Sequence, residues 1–356
     1  MKRLQSKLEK IGRDPQITAK AVGLRYTKNT TNGYFRHRKN DDFFYLDKEE
    51  KRIKDKWVLE RIKKLVIPPA WENVWISTHE NGHLQATGID AKGRKQYRYH
   101  PHWNKIRNQS KFYQLRSFAQ ALPLIRKQVE IDLNKKGLPF EKVVALVVKL
   151  IELTNIRIGN EAYKKLYGSF GLTTLRDKHV QFDKTKIYFD FIGKKGINHK
   201  ISLQSKKLAS LVKKCKDIPG QDLFQYYDDN GQRHTIGSTD INNYLKSITG
   251  QDFTAKDYRS WSGSVNAFVA FHRLEIPCNT TECKRKIIEV LDEVAHVLGN
   301  TRTVCKKYYV HPTVINAFEK GTLWKYKPNN RKKALEPMEY ALTQLLEKEN
   351  IAEVLG

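Results

Sequence analysis

Several signatures are missing from this 356-residue chain. No apolar run approaches the roughly 20 residues that a membrane span needs, so no membrane partner is expected. The four cysteines, Cys215, Cys278, Cys283 and Cys305, form no CxxC pair and stand at no His-Cys ligand spacing. That pattern argues against a zinc site and against a disulfide framework, and the four read as reduced thiols. No Gly-x-x-x-x-Gly-Lys-Ser/Thr cradle for nucleotide phosphates occurs. The acidic pair Asp228-Asp229 precedes Asn230-Gly231 and reads as part of a turn, not as a metal site. Residues Met1 to Lys7 carry charge with no apolar core behind them, unlike a secretory signal, so an intracellular setting is expected. There is no internal repeat and no low-complexity tract.

Acidic residues are the other shortage. Asp and Glu number 38 against 66 Lys and Arg, a formal charge of 66 − 38 = +28. The excess is spread along the chain, with tyrosine and tryptophan interleaved among the cations, which points to a polyanionic partner and specifically to nucleic acid. The length suits two domains, each able to bury a core.

The periodicity of apolar positions changes along the chain. Ile53, Trp57, Val58, Ile62 and Leu65 recur at helical spacing between Lys48 and Val66, and Pro68-Pro69 stops that pattern. Val74 to Ser77, His83 to Thr87 and Gln96 to Tyr99 then read as strands, separated by Asn81-Gly82 and by a turn over Ala91 to Lys95. Helices dominate afterwards, over Phe112 to Leu133, Glu141 to Leu153, Gly159 to Leu166, Gln204 to Lys214 and Thr239 to Ile248. One hairpin interrupts them: Lys186 to Ile192 and Ile197 to Leu203 are joined by Gly193-Lys194-Lys195-Gly196, with lysine at the tip. A helix over Thr254 to Leu274, capped by Thr254, puts Lys256 and Arg259 on one face, and another over Thr281 to Leu298 stops at Gly299. Past Gly321 come a basic segment, Lys325 to Lys333, and a helical pattern from Ala334 to Val354. The expected fold is α+β: a strand-rich amino-terminal domain over 1–105, a mainly helical domain with a β-hairpin over 106–325, and a basic segment with a carboxyl-terminal helix over 326–356.

The chemistry concentrates near the carboxyl end. Leu298-Gly299-Asn300-Thr301 is followed by Cys305-Lys306-Lys307-Tyr308-Tyr309-Val310-His311-Pro312, which sets a phenol among cations just past a helix start. A tyrosine hydroxyl, with a pKa of about 10, is a poor nucleophile unless cations stabilise the phenolate and the charge developing on its target. If that target is a phosphodiester, attack gives a phosphorane carrying about two negative charges, and the rigid donor fork of arginine suits its equatorial oxygens.

Asn155-Ile156-Arg157-Ile158-Gly159-Asn160, the Gly193 to Gly196 turn, Lys256-Asp257-Tyr258-Arg259 and the Leu298 to Pro312 segment stand in the order seen in poxvirus-like and bacterial type IB DNA topoisomerases. Ile67-Pro68-Pro69-Ala70-Trp71 and the Gly88 to Tyr99 stretch resemble that family's amino-terminal domain, so the resemblance runs from about Gly23 to Gly321. It implies that Tyr309 attacks a DNA phosphorus and becomes linked to the 3′ phosphate. Tyr308 is its rival, and register favours Tyr309, nine positions after Asn300. Arg157 and Arg259 match the arginines aimed at the nonbridging oxygens. Asn300 matches a position held by histidine in the poxvirus members and would donate one hydrogen bond there without carrying a proton; as a residue following Gly299 it reads equally well as part of a helix end. Lys194 matches the general acid that protonates the departing 5′ oxygen, with Lys195 as its neighbour and rival. Lys256-x-x-Arg259 is the topoisomerase form of a motif that is His-x-x-Arg in tyrosine recombinases. Gln96, Tyr97, Tyr99, Tyr163 and Lys256 match DNA-contacting positions. The resemblance further implies relaxation of supercoils of both signs without ATP or metal, by a monomer acting on double-stranded DNA in the cytoplasm, at a bacterial nucleoid.

Overall fold

Strand chemistry dominates the chain before Gln114 and helix chemistry after it. The computed structural model describes residues 14–40, 42–328 and 335–348, and these fall into two compact units that divide between Gln114 and Leu115. The charged amino-terminal stretch Met1 to Lys7, residues 329–333 of the basic segment and residues 349–354 of the expected last helix lie outside the described residues.

In the first unit, α1 (Pro15–Ala21) starts at Asp14, whose carboxylate accepts from the N–H groups of Gln16 and Ile17 at 2.8 and 3.1 Å. β1 (Gly33–Lys39) and β2 (Asp42–Leu46) precede α2 (Lys56–Lys64), and β3 (Glu72–Ser77), β4 (Leu84–Ile89) and β5 (Lys95–Tyr99) follow it. The five strands form one antiparallel sheet in the order β2-β1-β3-β4-β5. Ile62 of α2 packs with Val74, Ile76 and Ala86 of the sheet, and a second cluster gathers Ala19, Leu24, Trp103 and Ile106. The expected helix from Lys48 shrinks to α2, because Asp55 caps it through the N–H groups of Trp57 and Val58.

The helix α3 (Pro101–Leu133) starts earlier than the expected Phe112 and contributes Leu115, Phe118, Leu122 and Ile125 to the core of the second unit. α4 (Phe140–Thr154) lies at the centre of that unit and is apolar almost all round: Val143, Val144, Leu146, Val147, Val148, Leu150 and Ile151 are all buried. Burial of each such side chain stabilises by about 1.5–3 kcal/mol, enough to override the weak helix propensity of its valines. α5 (Glu161–Tyr167) follows. β6 (Val180–Asp183), β7 (Lys186–Ile192) and β8 (Asn198–Gln204) form a three-stranded antiparallel sheet in which Ile187, Phe189 and Phe191 face the core at alternate positions. Then come α6 (Lys206–Lys216), the short pair β9 (Gln225–Tyr227) and β10 (Arg233–Thr235), α7 (Ser238–Thr249), α8 (Ala255–His272), α9 (Thr280–Leu298), α10 (Arg302–Tyr308), α11 (Pro312–Glu319) and α12 (Pro337–Glu347).

The helix α12 docks on α8. Glu339 accepts from the Trp261 indole N–H at 2.9 Å and takes both Nη groups of Arg126 at 2.7 and 2.8 Å, while Arg126 Nε donates to Glu152 at 2.6 Å. No helix among the described residues is long and apolar enough to cross a membrane.

Candidate active site

The site begins with two helix ends. α4 stops at Asn155, which takes the left-handed conformation (φ 56°, ψ 16°) that asparagine tolerates better than most residues. That stop turns the chain so that Arg157 emerges two residues later. α9 stops at Gly299 (φ 57°) in a Schellman turn: the Asn300 N–H reaches Ala295 O at 2.9 Å and the Gly299 N–H reaches His296 O at 3.1 Å. The carbonyls of Leu298 and Gly299 are not used by that turn, and both are taken by arginines. Arg259 donates to Leu298 O at 2.7 Å and to Asn155 O; Arg157 donates to Gly299 O at 3.2 Å and to Asn300 Oδ1 at 2.6 Å.

The two guanidiniums therefore converge on one turn, held by carbonyls and an amide. Among the described residues neither has a carboxylate partner, and Arg259, which is 5% exposed, leaves its Nε with no acceptor at all. Burial draws the Arg157 guanidinium below its usual pKa; the nearby Arg259 charge adds to that, and Tyr309 and Cys305 pull the other way. The Cys305 thiol is pushed up to about 11 by burial, against the pull of both arginines.

Tyr309 completes the cluster. Its ring lies under Arg259, with Cζ 5.3 Å from the centroid, close enough for a cation–π attraction. From sequence, Tyr308 and Tyr309 are rivals standing just past a helix start, separated only by register. In the structure α10 is capped by Thr301 and ends at Tyr308, and Tyr309 leaves the helix with φ −128° and ψ −32°. The two rings consequently separate: Tyr308 sits 5.3 Å from Lys307 Nζ, while Tyr309 sits with Arg259. The backbone of Tyr309 is pinned to α8, where Ser264 Oγ lies 3.1 Å from Tyr309 O and accepts from the His311 N–H at 3.0 Å. Gly263 permits that approach, since a Cβ there would fall 2.9 Å from Tyr309 O.

The other expected residues are placed differently. Lys194 is exposed in a tight turn between β7 and β8, and it is the base of that hairpin, through His199, that abuts Gly299. Lys256 is exposed on the first turn of α8; Thr254 is the N-cap, as expected, and Asp257 reaches back to accept from the Thr254 N–H at 2.8 Å. Tyr163 is exposed on α5, with its ring 5.7 Å from that of Tyr167. In the first unit, Tyr97 and Tyr99 share one face of β5 and stack at 5.9 Å with 7° between planes. Gln96 lies on the opposite face, with its amide donating to Asp90 at 2.8 Å. Sequence reasoning did not assign roles to Ser264, Gly263 or His199. The first two were within the α8 pattern and the third within the hairpin, but nothing in their types alone signals a contact with Tyr309 or Gly299.

A half-buried phenol beneath one of two uncompensated guanidiniums is the geometry of a transfer site for an anionic group. The chain's relatives agree. Residues 100–335 match the family described as eukaryotic DNA topoisomerase I, catalytic core, and residues 42–90 match the bacterial DNA topoisomerase IB amino-terminal domain. A DNA topoisomerase 1B from Acanthamoeba polyphaga mimivirus is 32% identical over 293 residues, covering 80% of this chain and 86% of that protein. A DNA topoisomerase 1 from rabbit fibroma virus is 24% identical over 268 residues (72% and 80%), and DNA topoisomerase 1B of vaccinia virus (strain Copenhagen) is 21% identical over 230 residues (64% and 70%). The chain belongs to the type IB DNA topoisomerase family, and DNA is its substrate.

Proposed function

We propose that Tyr309 is the nucleophile of this topoisomerase and that Arg157, Arg259, Asn300 and Lys194 complete its catalytic set. Tyr309 Oη gives up its proton to solvent and attacks the scissile phosphorus, forming a tyrosyl ester at the 3′ phosphate while the bond from phosphorus to the 5′ oxygen breaks. Arg157 and Arg259 bind the nonbridging oxygens, Asn300 donates one amide hydrogen bond, and Lys194 gives a proton to the departing 5′ oxygen. Rejoining runs the same steps backwards. One phosphodiester replaces another at each step, so bond energy is retained and neither ATP nor metal is required; superhelical torsion of either sign drives rotation of the free strand in between.

The observation that carries this reading is a buried and a half-buried arginine, both held by neutral oxygens beside Tyr309, with no acid among the described residues to neutralise them. An uncompensated buried cation costs several kcal/mol, and a phosphate oxygen entering the pocket would recover much of that. Lys256, Tyr163, Gln96, Tyr97 and Tyr99 serve as contacts to the duplex backbone and grooves, the enzyme acts as a monomer, and its setting is a bacterial nucleoid.

The test is relaxation of negatively and positively supercoiled plasmid in EDTA without ATP, with detergent trapping of the covalent adduct. Wild type and Tyr308→Phe should relax the plasmid and form the adduct, and Tyr309→Phe should do neither. Activity in Tyr309→Phe would move the nucleophile, and a requirement for metal or ATP would remove the cofactor-free mechanism.

A further inference from the structure

His199 sits at the foot of the β7–β8 hairpin, directly opposite Phe191 in the strand pairing, and the two rings stack at 5.3 Å with 22° between planes. Phe191 is buried, so one face of the imidazole is fixed by the core. The ring's edges meet two glycines from distant parts of the sequence. A Cβ added to Gly193 would fall 2.5 Å from His199 Cδ2 and 2.7 Å from Nε2. A Cβ added to Gly299 would fall 2.6 Å from Cε1, and the three nearest atoms it would meet all belong to His199. Gly193 begins the tight turn that carries Lys194, closed by its N–H to Ile197 O at 2.8 Å; Gly299 begins the turn that presents Asn300 and accepts from Arg157.

We propose that His199 is a positioning residue: a flat wedge that fixes the Lys194 turn against the Gly299–Asn300 turn and thereby sets where the proton for the leaving 5′ oxygen is delivered. The inference rests on the reading of Lys194 as the general acid. Shape makes the case. Neither glycine has room for a methyl group, so the imidazole packs directly against both turns. Arg157 and Arg259 add to the effect of burial in holding the imidazole below its usual pKa, as expected for a ring at the margin of the phosphate pocket.

A substrate that does not need the proton separates this role from general support of the fold. In a duplex whose wild-type cleavage site has been mapped, the bridging 5′ oxygen is replaced by sulfur. The leaving thiol has a pKa of about 8.5, against roughly 16 for a hydroxyl, so it departs without an acid. Single-turnover cleavage is then measured on both duplexes. His199→Ala should slow cleavage of the oxygen substrate by about tenfold or more, a loss that general-acid catalysis readily accommodates, and leave the sulfur substrate nearly unaffected. His199→Phe, which keeps a flat ring, should recover most of the rate. Gly193→Ala should reproduce the selective defect, because its methyl group meets the imidazole, and adding it to His199→Ala should cost nothing further. Equal slowing of both substrates by His199→Ala, or no slowing of either, overturns the proposal. Lys194→Ala is the control: if sulfur fails to rescue it, the general-acid reading itself falls, whereas rescue of Lys194→Ala without rescue of His199→Ala refutes only the role of His199.

Discussion

Replacing Arg259 is the sharpest test of the pocket. The guanidinium is buried, spans from Leu298 O to Asn155 O, and keeps Nε free of any acceptor. If it stabilises charge that develops on the phosphorane, Arg259→Ala should cost what loss of a preorganised oxyanion donor costs, about 2.7–4 kcal/mol, or 100- to 1000-fold in the cleavage rate. Arg259→Lys keeps the charge but cannot span two carbonyls and a phosphate oxygen at once. Loss of one charge-assisted hydrogen bond, about 1.5–3 kcal/mol, predicts a slowing of about 10- to 100-fold. The alanine variant also takes the donor from Asn155 O, at about 1–3 kcal/mol, while Leu298 O keeps the Asn300 amide at 3.2 Å, so thermal unfolding has to be followed beside the kinetics. The assay is single-turnover formation of the covalent adduct at saturating enzyme, with affinity for DNA measured separately. Affinity should change little, because a protein of this charge is expected to make many phosphate contacts, of which Arg259 would supply one. A loss of affinity equal to the loss of rate would mean that Arg259 binds ground and transition states alike, and the reasoning would fail.

Further outcomes follow from the same geometry. Lys256 is exposed on the first turn of α8, so Lys256→Ala should lower the slope of log Kd against log salt by about one, and an unchanged slope would remove it from the DNA contacts. Glu339→Gln breaks a buried ion network and should destabilise by about 3–5 kcal/mol at neutral pH, read by thermal unfolding. Burial alone would raise the Glu339 pKa, but hydrogen bonds and charge from Arg126, with Trp261, hold it below the usual 4.5. Its contribution is therefore present above pH 4.5 and fades as the pH falls through the lowered value, so the gap between wild type and Glu339→Gln should narrow in acid. A gap that stays constant would mean that the network does not depend on the glutamate's charge. Gly263→Ala should slow cleavage with little change in affinity, because the new methyl group lands on the backbone of Tyr309; an unaltered rate would show that this backbone can shift freely.

Sequence reasoning located what is encoded in local pattern. The β7–β8 hairpin was legible because Lys186 to Ile192 is rich in β-branched and aromatic residues and a glycine-bounded turn follows; Ile187, Phe189 and Phe191 alternate with exposed positions in the structure. The end of α9 was legible because Gly299 supplies the positive φ that a Schellman turn needs. β1 and β2 were not recognised: Gly33 to Lys39 is mostly exposed and crowded with charge, so it is a strand by virtue of its pairing with β2 and β3, not by its own alternation. The same boundary explains the site. Tyr309, Arg157 and Arg259 announce themselves by chemical type and register. The carbonyls of Leu298, Gly299 and Asn155 that aim the arginines have no side-chain signature, and they become acceptors only when two helices end at the same place.

The way the arginines are held separates binding chemistry from structural chemistry within one unit of this protein. Burial works against the charge on Arg126, but Glu339 and Glu152 more than offset it, and the resulting cluster is satisfied by its own members. Such a cation ties α12 to the core, and its charge is already neutralised before any anion arrives. Arg157 and Arg259 are oriented just as firmly, but by neutral acceptors. A carbonyl fixes the direction of a guanidinium without cancelling its charge, whereas a carboxylate would do both and would then compete with phosphate for the same donors. Carbonyl-held arginines are thus preorganised and still fully charged, which is what stabilising a phosphorane demands. On this argument an acid introduced beside the pair, as in Asn300→Asp, should be more damaging than simple loss of the amide in Asn300→Ala: the new carboxylate can capture Arg157 at the 2.6 Å contact now made by the amide oxygen. Comparing the adduct-formation rates of the two variants decides it, and an aspartate variant as fast as the alanine one would refute the claim that neutrality of these acceptors matters.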